Sequence, residues 1–171
     1  DEFADQYEKH IETYSIPVNF QLYSLTHAHQ ADSILETGVG AGRASQMFTT
    51  GLLKRGGTYI GTDISERMFG KTEKRFKSHV PKDDFNFNTF DSNPEDKITV
   101  EDLHGKIKDS KNDKKNVFIG IADSEYLPFA DNQFDVYVSN FSLNIVADHE
   151  QMLAEAKRVC LLLNILKLLE I

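Results

Sequence analysis

Two rhythms of apolar and polar positions run along this chain. Short apolar runs at 33–36, 58–62, 117–122 and 134–139 read as strands, and the third is continuous enough for a buried parallel strand. Between them apolar residues recur every three or four positions: Ala44, Met47, Phe48 and Leu52, then Met68, Phe69, Thr72 and Phe76, then Met152, Leu153, Ala156 and Val159. Each set predicts a helix with one buried face. Gly56-Gly57 is expected to end the first, Ser65 to cap the second, and Asp148 with Gln151 to open the last as a capping box. Strand and helix in repeated succession predict an α/β fold, with parallel strands, helices on both faces and right-handed crossovers.

Two stretches break the rhythm. The segment 5–29 is polar and aromatic and predicts one or two helices interrupted near Pro17. The segment from 80 to 116 holds Pro81, Asn93-Pro94 and a lysine-rich run over 106–115. It is expected as a polar insertion at about 81–116, with a short amphipathic piece near 100–107. A solvated loop is its plain reading, and a basic interaction arm the sharper one.

The most informative stretch is Ile34-Leu-Glu-Thr-Gly-Val-Gly-Ala-Gly-Arg-Ala-Ser45. An apolar run ends in Glu36, three glycines follow at strict alternation (Gly38, Gly40, Gly42), and a helical pattern begins. Glycines so placed let the backbone turn sharply and approach a ligand without a Cβ in the way. Strand, glycine turn and helix describe a nucleotide-type cofactor site at the carboxyl end of a parallel strand. The dinucleotide fingerprint fits poorly, because its third small residue falls on Arg43 or, one register on, on Ser45. The P-loop fails too, since in Gly51 to Thr58 the residue directly before the threonine is Gly57 and not a lysine. Asp63 closes the second strand, 21 residues after Gly42, where a carboxylate can accept from ribose hydroxyls. Asp123 closes the next strand and could accept from an adenine amino group, with Ser124 supplying a backbone N–H.

Composition narrows the setting. The chain has 171 residues, enough for one domain and its core. A net charge of −8 argues against a general phosphate-binding surface, so no nucleic-acid partner is expected. One cysteine, Cys160, fits a reducing compartment, and a cytoplasmic location is expected. No metal site is expected: His27 and His29 stand two apart and lack a converging third ligand. Gly-x-Ser-x-Gly is absent, and the sequon at Asn140-Phe-Ser142 lies at a strand end.

Taken together these residues resemble the class I S-adenosylmethionine-dependent methyltransferases, in particular the type 11 methyltransferase domain. The resemblance runs over about 34–80 and 117–159. It rests on the glycine stretch, on Tyr59-Ile-Gly-Thr-Asp-Ile-Ser-Glu-Arg-Met68, and on Ala122-Asp-Ser-Glu-Tyr-Leu-Pro-Phe-Ala-Asp-Asn-Gln-Phe-Asp-Val136. Val138-Ser-Asn-Phe-Ser-Leu-Asn-Ile-Val146 and Ala154-Glu-Ala-Lys-Arg-Val159 complete it. It implies a Rossmann-like sheet, S-adenosylmethionine as cofactor, S-adenosylhomocysteine as product, and a small-molecule acceptor. By position it implies that Gly38, Gly40 and Gly42 lie under the methionine part, with Glu36 orienting it. Asp63 holds the ribose, Ile64 packs on adenine, Asp123 and Ser124 meet its edge, and Asn140 and Phe141 lie beside the transferred methyl. Tyr7 and Tyr14 are candidates to close over the cofactor. No residue stands out as catalytic, and a sulfonium, already activated as a leaving group, requires no fixed acid–base pair.

The expected organisation is a helical cap at 1–33, a cofactor-binding domain at 34–159, and an apolar tail at 160–171 that departs from the family. The resemblance implies a further strand and an antiparallel pair after 159, so the chain reads as truncated and its last strand as an exposed edge. Self-association through that edge and the tail is expected; the tail is too short to span a membrane, which takes about 20 apolar residues. The leading function is methyl transfer to a small molecule. An inactive methyltransferase-like protein that binds the cofactor or a partner is the alternative, and a nicotinamide-dependent oxidoreductase, disfavoured by Arg43, stands third.

Overall fold

A computed structural model of the chain describes residues 6–107 and 113–161. Five strands form one parallel sheet: β1 (Ser33–Thr37), β2 (Thr58–Asp63), β3 (Phe85–Phe90), β4 (Lys115–Ile121) and β5 (Val136–Ser139), in the order β3-β4-β2-β1-β5. Helices α1 (Glu12–Leu25), α2 (Arg43–Gly51) and α3 (Glu66–His79) cover one face, and α4 (Val100–Gly105) and α5 (His149–Val159) the other. The period-two alternation of a strand divides the core. Ile34 and Tyr59 face Leu22, Phe48 and Phe76, whereas Leu35 and Ile60 face Leu103, Met152 and Ala156. Buried on both sides, β1 and β2 carry almost no exposed position.

Several residues place the chain ends of these elements. The Asp135 carboxylate accepts the backbone N–H groups of Asp32 and Ser33 at 2.8 and 2.9 Å, so the Asn132-Gln-Phe-Asp135 signature pins the start of β1. Arg158 on α5 bridges Glu155, Asp131 and the carbonyls of Leu127 and Phe129, fixing the loop that enters β5. Ser65 caps α3 by accepting the Met68 N–H, and Asp148 caps α5 by accepting that of Gln151. The capping box expected there is half made, because the Gln151 amide donates to the Glu125 carbonyl instead.

Other expectations fail for local reasons. Helix α2 buries Ala44, Ser45, Phe48 and Thr49, while Met47 and Leu52 are exposed. Two small hydroxyl residues, invisible to an apolar count, complete its inner face. It ends at Gly51, before Gly56-Gly57. Pro17 does not interrupt α1, because the carbonyl it leaves without a donor, that of Thr13, lies on the exposed side. The stretch expected as a polar insertion contains β3, an edge strand in parallel register with β4 from Phe85↔Lys115 to Phe90↔Gly120. Alternating phenylalanines and asparagines gave it a weak apolar signal, and Phe85 and Phe90 are the residues it buries. The helix expected near 100–107 is α4, capped by Thr99 and Asp102 in a reciprocal box. At the end of the lysine run, Lys115 is buried: its ammonium donates to the Thr49 and Thr50 carbonyls, closing the C-terminus of α2. β5 forms one edge of the sheet. Leu161 donates to the Phe134 carbonyl beside it, and the rest of the tail lies outside the described residues.

Candidate functional site

The connections reverse at one place in this sheet. From β1 the chain moves outward through β2 toward β3 and β4, and β5 then returns to the other side of β1. The crevice between the carboxyl ends of β1 and β5 is therefore the switch point where α/β folds bind ligands.

The glycine turn begins there. Gly38, Gly40 and Gly42 have φ of +69°, +58° and +75°, a region L side chains rarely enter. A Cβ on Gly38 would strike Ser142 Oγ, and one on Gly42 would press into the Thr72 side chain. The turn is held by Val39 N–H donating to the Thr62 carbonyl, Thr72 Oγ1 donating to the Gly40 carbonyl, and Arg75 Nε donating to that of Ala41.

Asp63 joins this turn directly. Its Oδ2 accepts the Gly40 N–H at 2.8 Å and its Oδ1 accepts the Ser65 N–H at 2.9 Å. Burial pushes its carboxyl up from the usual aspartate range, and the two backbone donors oppose that. Ile64 follows with 66% of its surface exposed, an apolar face next to the carboxylate. Asp123, half-buried at the end of β4, folds back to accept the Glu125 N–H, with Ser124 half-buried beside it.

Glu36 lies elsewhere. It is 1% exposed and points, like Ile34, toward α1 and α2. Its Oε2 accepts the hydroxyls of Tyr59, Tyr23 and Ser45 at 2.5, 2.6 and 3.1 Å. Burial raises its pKa, and the three hydroxyls pull the other way. Through these hydroxyls the carboxylate ties the strand that carries the turn to α1, α2 and β2.

On the far wall, Asn140 Nδ2 donates to the Ser15 carbonyl and to Asn19 Oδ1, tying the end of β5 to α1. Phe141 has φ of +59° and leaves 46% of its surface exposed. A bulky residue in the left-handed region costs of order 1–3 kcal/mol and is characteristic of functional sites. Tyr7 lies over the turn, with its ring packed beside Gly40 and Ala41, whereas Tyr14 stands in solvent.

Four residues at or beside the site are not singled out by the sequence reading, although Glu125 lies within the 122–136 stretch. Glu12, Ser15 and Asn19 line a cavity of about 10 Å³ between α1 and the turn, and nothing in their spacing marks them. Glu125 is buried and accepts the N–H groups of Ala147 and Asp148 at 2.6 and 3.1 Å, bracing the loop after β5.

Residues 96–161, from just before α4 to just past α5, match the profile of a family described as "Methyltransferase domain". A Methanococcus maripaludis protein, provisionally described as an S-adenosyl-L-methionine-dependent methyltransferase, superposes with a TM-score of 0.60 at 14% identity, covering 93% of this chain and 56% of its own. The chain has the Rossmann-like α/β fold of that structure, a parallel sheet flanked by helices. The same domain architecture occurs in the [4+2]-cyclase SpnF, with a TM-score of 0.59 at 14% identity over 85% of this chain and 41% of that one. An uncharacterised protein of Methanocaldococcus jannaschii is 25% identical over 93% of this chain and 54% of its own. The chain thus spans about half the length of the relatives it matches.

Proposed function

We propose that this domain binds S-adenosylmethionine across the β1/β5 switch and transfers its methyl group to a small-molecule acceptor. The observation carrying this reading is the bond from Gly40 N–H to Asp63 Oδ2, which places a carboxylate and a bare glycine backbone on the same crevice. The residues fit such a ligand. Side chains are excluded from the turn by its positive φ angles, a half-buried acid stands where a ribose would be received, and Ile64 offers an exposed apolar face to a base. Asp123 and Ser124 stand one strand further along for the base edge, and Asn140 and Phe141 stand opposite the turn.

When bound, the cofactor would supply an electrophilic methyl on a sulfonium. The protein's part is to bind, orient and exclude water. Asp63 and the turn orient the nucleoside end, while α1, pinned by Asn140, walls the crevice from solvent. We place the protein in the cytoplasm, on the strength of its lone, buried Cys160, whose thiol burial pushes up to about 12. No helix among the described residues is long and apolar enough to cross a membrane.

Calorimetric titration with S-adenosylhomocysteine, followed by a methyl-release assay with mixed small acceptors, tests the reading. Micromolar binding with product formation is expected. Binding without product would favour a cofactor-binding protein that does not turn over, and the absence of binding would refute the assignment.

A further inference from the structure

The loop after β5 carries backbone strain that something must hold. Phe141 sits in the left-handed region at φ +59°, a conformation that persists in a bulky residue only where its surroundings over-determine it. The segment 140–147 has no charged side chain of its own, and it is fastened from outside. Asn140 donates to the Ser15 carbonyl on α1. Ser142 rests on Gly38, where a Cβ would come within 2.0 Å of its Oγ, and its carbonyl accepts the N–H groups of Ile145 and Val146. At the far end, Glu125 Oε1 accepts the N–H groups of Ala147 and Asp148 at 2.6 and 3.1 Å.

Glu125 belongs to a different loop, the one at the carboxyl end of β4. Its own N–H donates to Asp123 Oδ1 at 2.9 Å, and its carbonyl accepts the Gln151 side-chain amide at 3.1 Å. The residue is 9% exposed. The N–H groups it receives stand at the start of α5, where the helix dipole favours a carboxylate and the bonds are charge-assisted. One acid thus spans from the base-edge loop to the wall opposite the glycine turn. A loop that loses such bonds spends part of its time out of place, and affinity for any ligand touching it falls by that fraction.

We propose that Glu125 is a positioning residue: it holds the loop after β5, and with it Phe141, against the glycine turn, so that this wall is in place before the ligand arrives. This rests on the cofactor reading above, which supplies a ligand whose sulfur and amino-acid arm reach that wall. Nucleoside recognition does not pass through the Glu125 side chain, because Asp123 is held by the Glu125 backbone N–H and Asp63 by those of Gly40 and Ser65.

The test is calorimetry on the full chain with two ligands. S-adenosylhomocysteine extends an arm past the ribose, and adenosine stops there. Glu125→Ala is expected to weaken S-adenosylhomocysteine by about tenfold, as for a loop in place about a tenth of the time, and to change adenosine by less than about twofold. Glu125→Gln keeps an oxygen for the two N–H groups and is expected to bring S-adenosylhomocysteine back to within about threefold of the unmodified protein. A merely structural role would lower Tm and shift both ligands alike. Equal losses for both, no loss for either, or no recovery with Glu125→Gln would overturn the proposal while leaving the cofactor assignment standing. Failure of S-adenosylhomocysteine to bind the unmodified protein would remove that assignment and this one together. Should Glu125→Ala not fold, or adenosine bind too weakly to titrate, Ile145→Trp reads the loop directly, since the chain has no tryptophan of its own. In that background Glu125→Asp, one methylene shorter, is expected to raise acrylamide quenching of the indole by about twofold. Unchanged quenching would overturn the proposal.

Discussion

At the scale of single residues the crevice depends on backbone that only glycine adopts easily. Gly40 combines a φ of +58° with a neighbour: a Cβ there would lie 3.0 Å from a Tyr7 ring carbon. Gly40→Ala is therefore expected to destabilise the fold by about 1–2 kcal/mol, from left-handed strain together with displacement of Tyr7. Thermal denaturation would show this as a fall of about 2–8 °C in Tm, and an unchanged Tm would mean the turn is looser than described. This part of the site was legible in the sequence, because alternate glycines announce an unusual backbone whatever surrounds them. Glu36 was legible as an acid but not in its direction. Its place at a strand end was read correctly, whereas the facing of its carboxylate depends on Tyr23 and Tyr59, 13 and 23 residues away.

At the scale of elements the hydroxyl cage around Glu36 joins α1, β1, α2 and β2 through Tyr23, Glu36, Ser45 and Tyr59. Burial raises both phenols well above the ordinary tyrosine value of 10.0, and the charge of Glu36 raises them further. The consequence has a definite sign. Below pH 10 both phenols are protonated in the folded and unfolded chains alike. Above it the unfolded chain releases protons that the folded chain keeps, so stability falls as pH climbs from about 10 through the raised folded values. Each phenol steepens that fall by about 1.4 kcal/mol per pH unit. Denaturant titrations across alkaline pH are expected to give Tyr59→Phe a shallower slope by about that amount. An identical slope would show that Tyr59 ionises in the folded protein. The elements were legible where they are long and apolar, along one face as in α3 or throughout as in β4. β3 was missed because an edge strand buries little, and its Asn-Phe alternation sits between a proline and a lysine run. The reversed edge of α2 shows a related limit, since Ser45 and Thr49 enter the core through shape and hydrogen bonding, not hydrophobicity.

At the scale of the whole molecule, the strand order brings distant residues to one crevice. Gly40 meets Asp63 because β1 and β2 are neighbours in register, and Asn140 meets α1 because β5 returns to the opposite side of β1. Motif spacing named most of these partners. It could not name Glu12, which arrives on a helix without a signature and reaches the turn only through tertiary packing. The same fold in a protein described as a methyltransferase and in a [4+2]-cyclase means that such a sheet leaves the reaction open. The central claim, a nucleoside cofactor held at the switch by the Asp63 carboxylate, is tested most directly by titrating S-adenosylhomocysteine into the unmodified protein and into Asp63→Ala. A Kd weakened by about tenfold or more in the variant is expected, the loss of charge-assisted bonds worth about 1.5–3 kcal/mol; the same Kd for both proteins would contradict it.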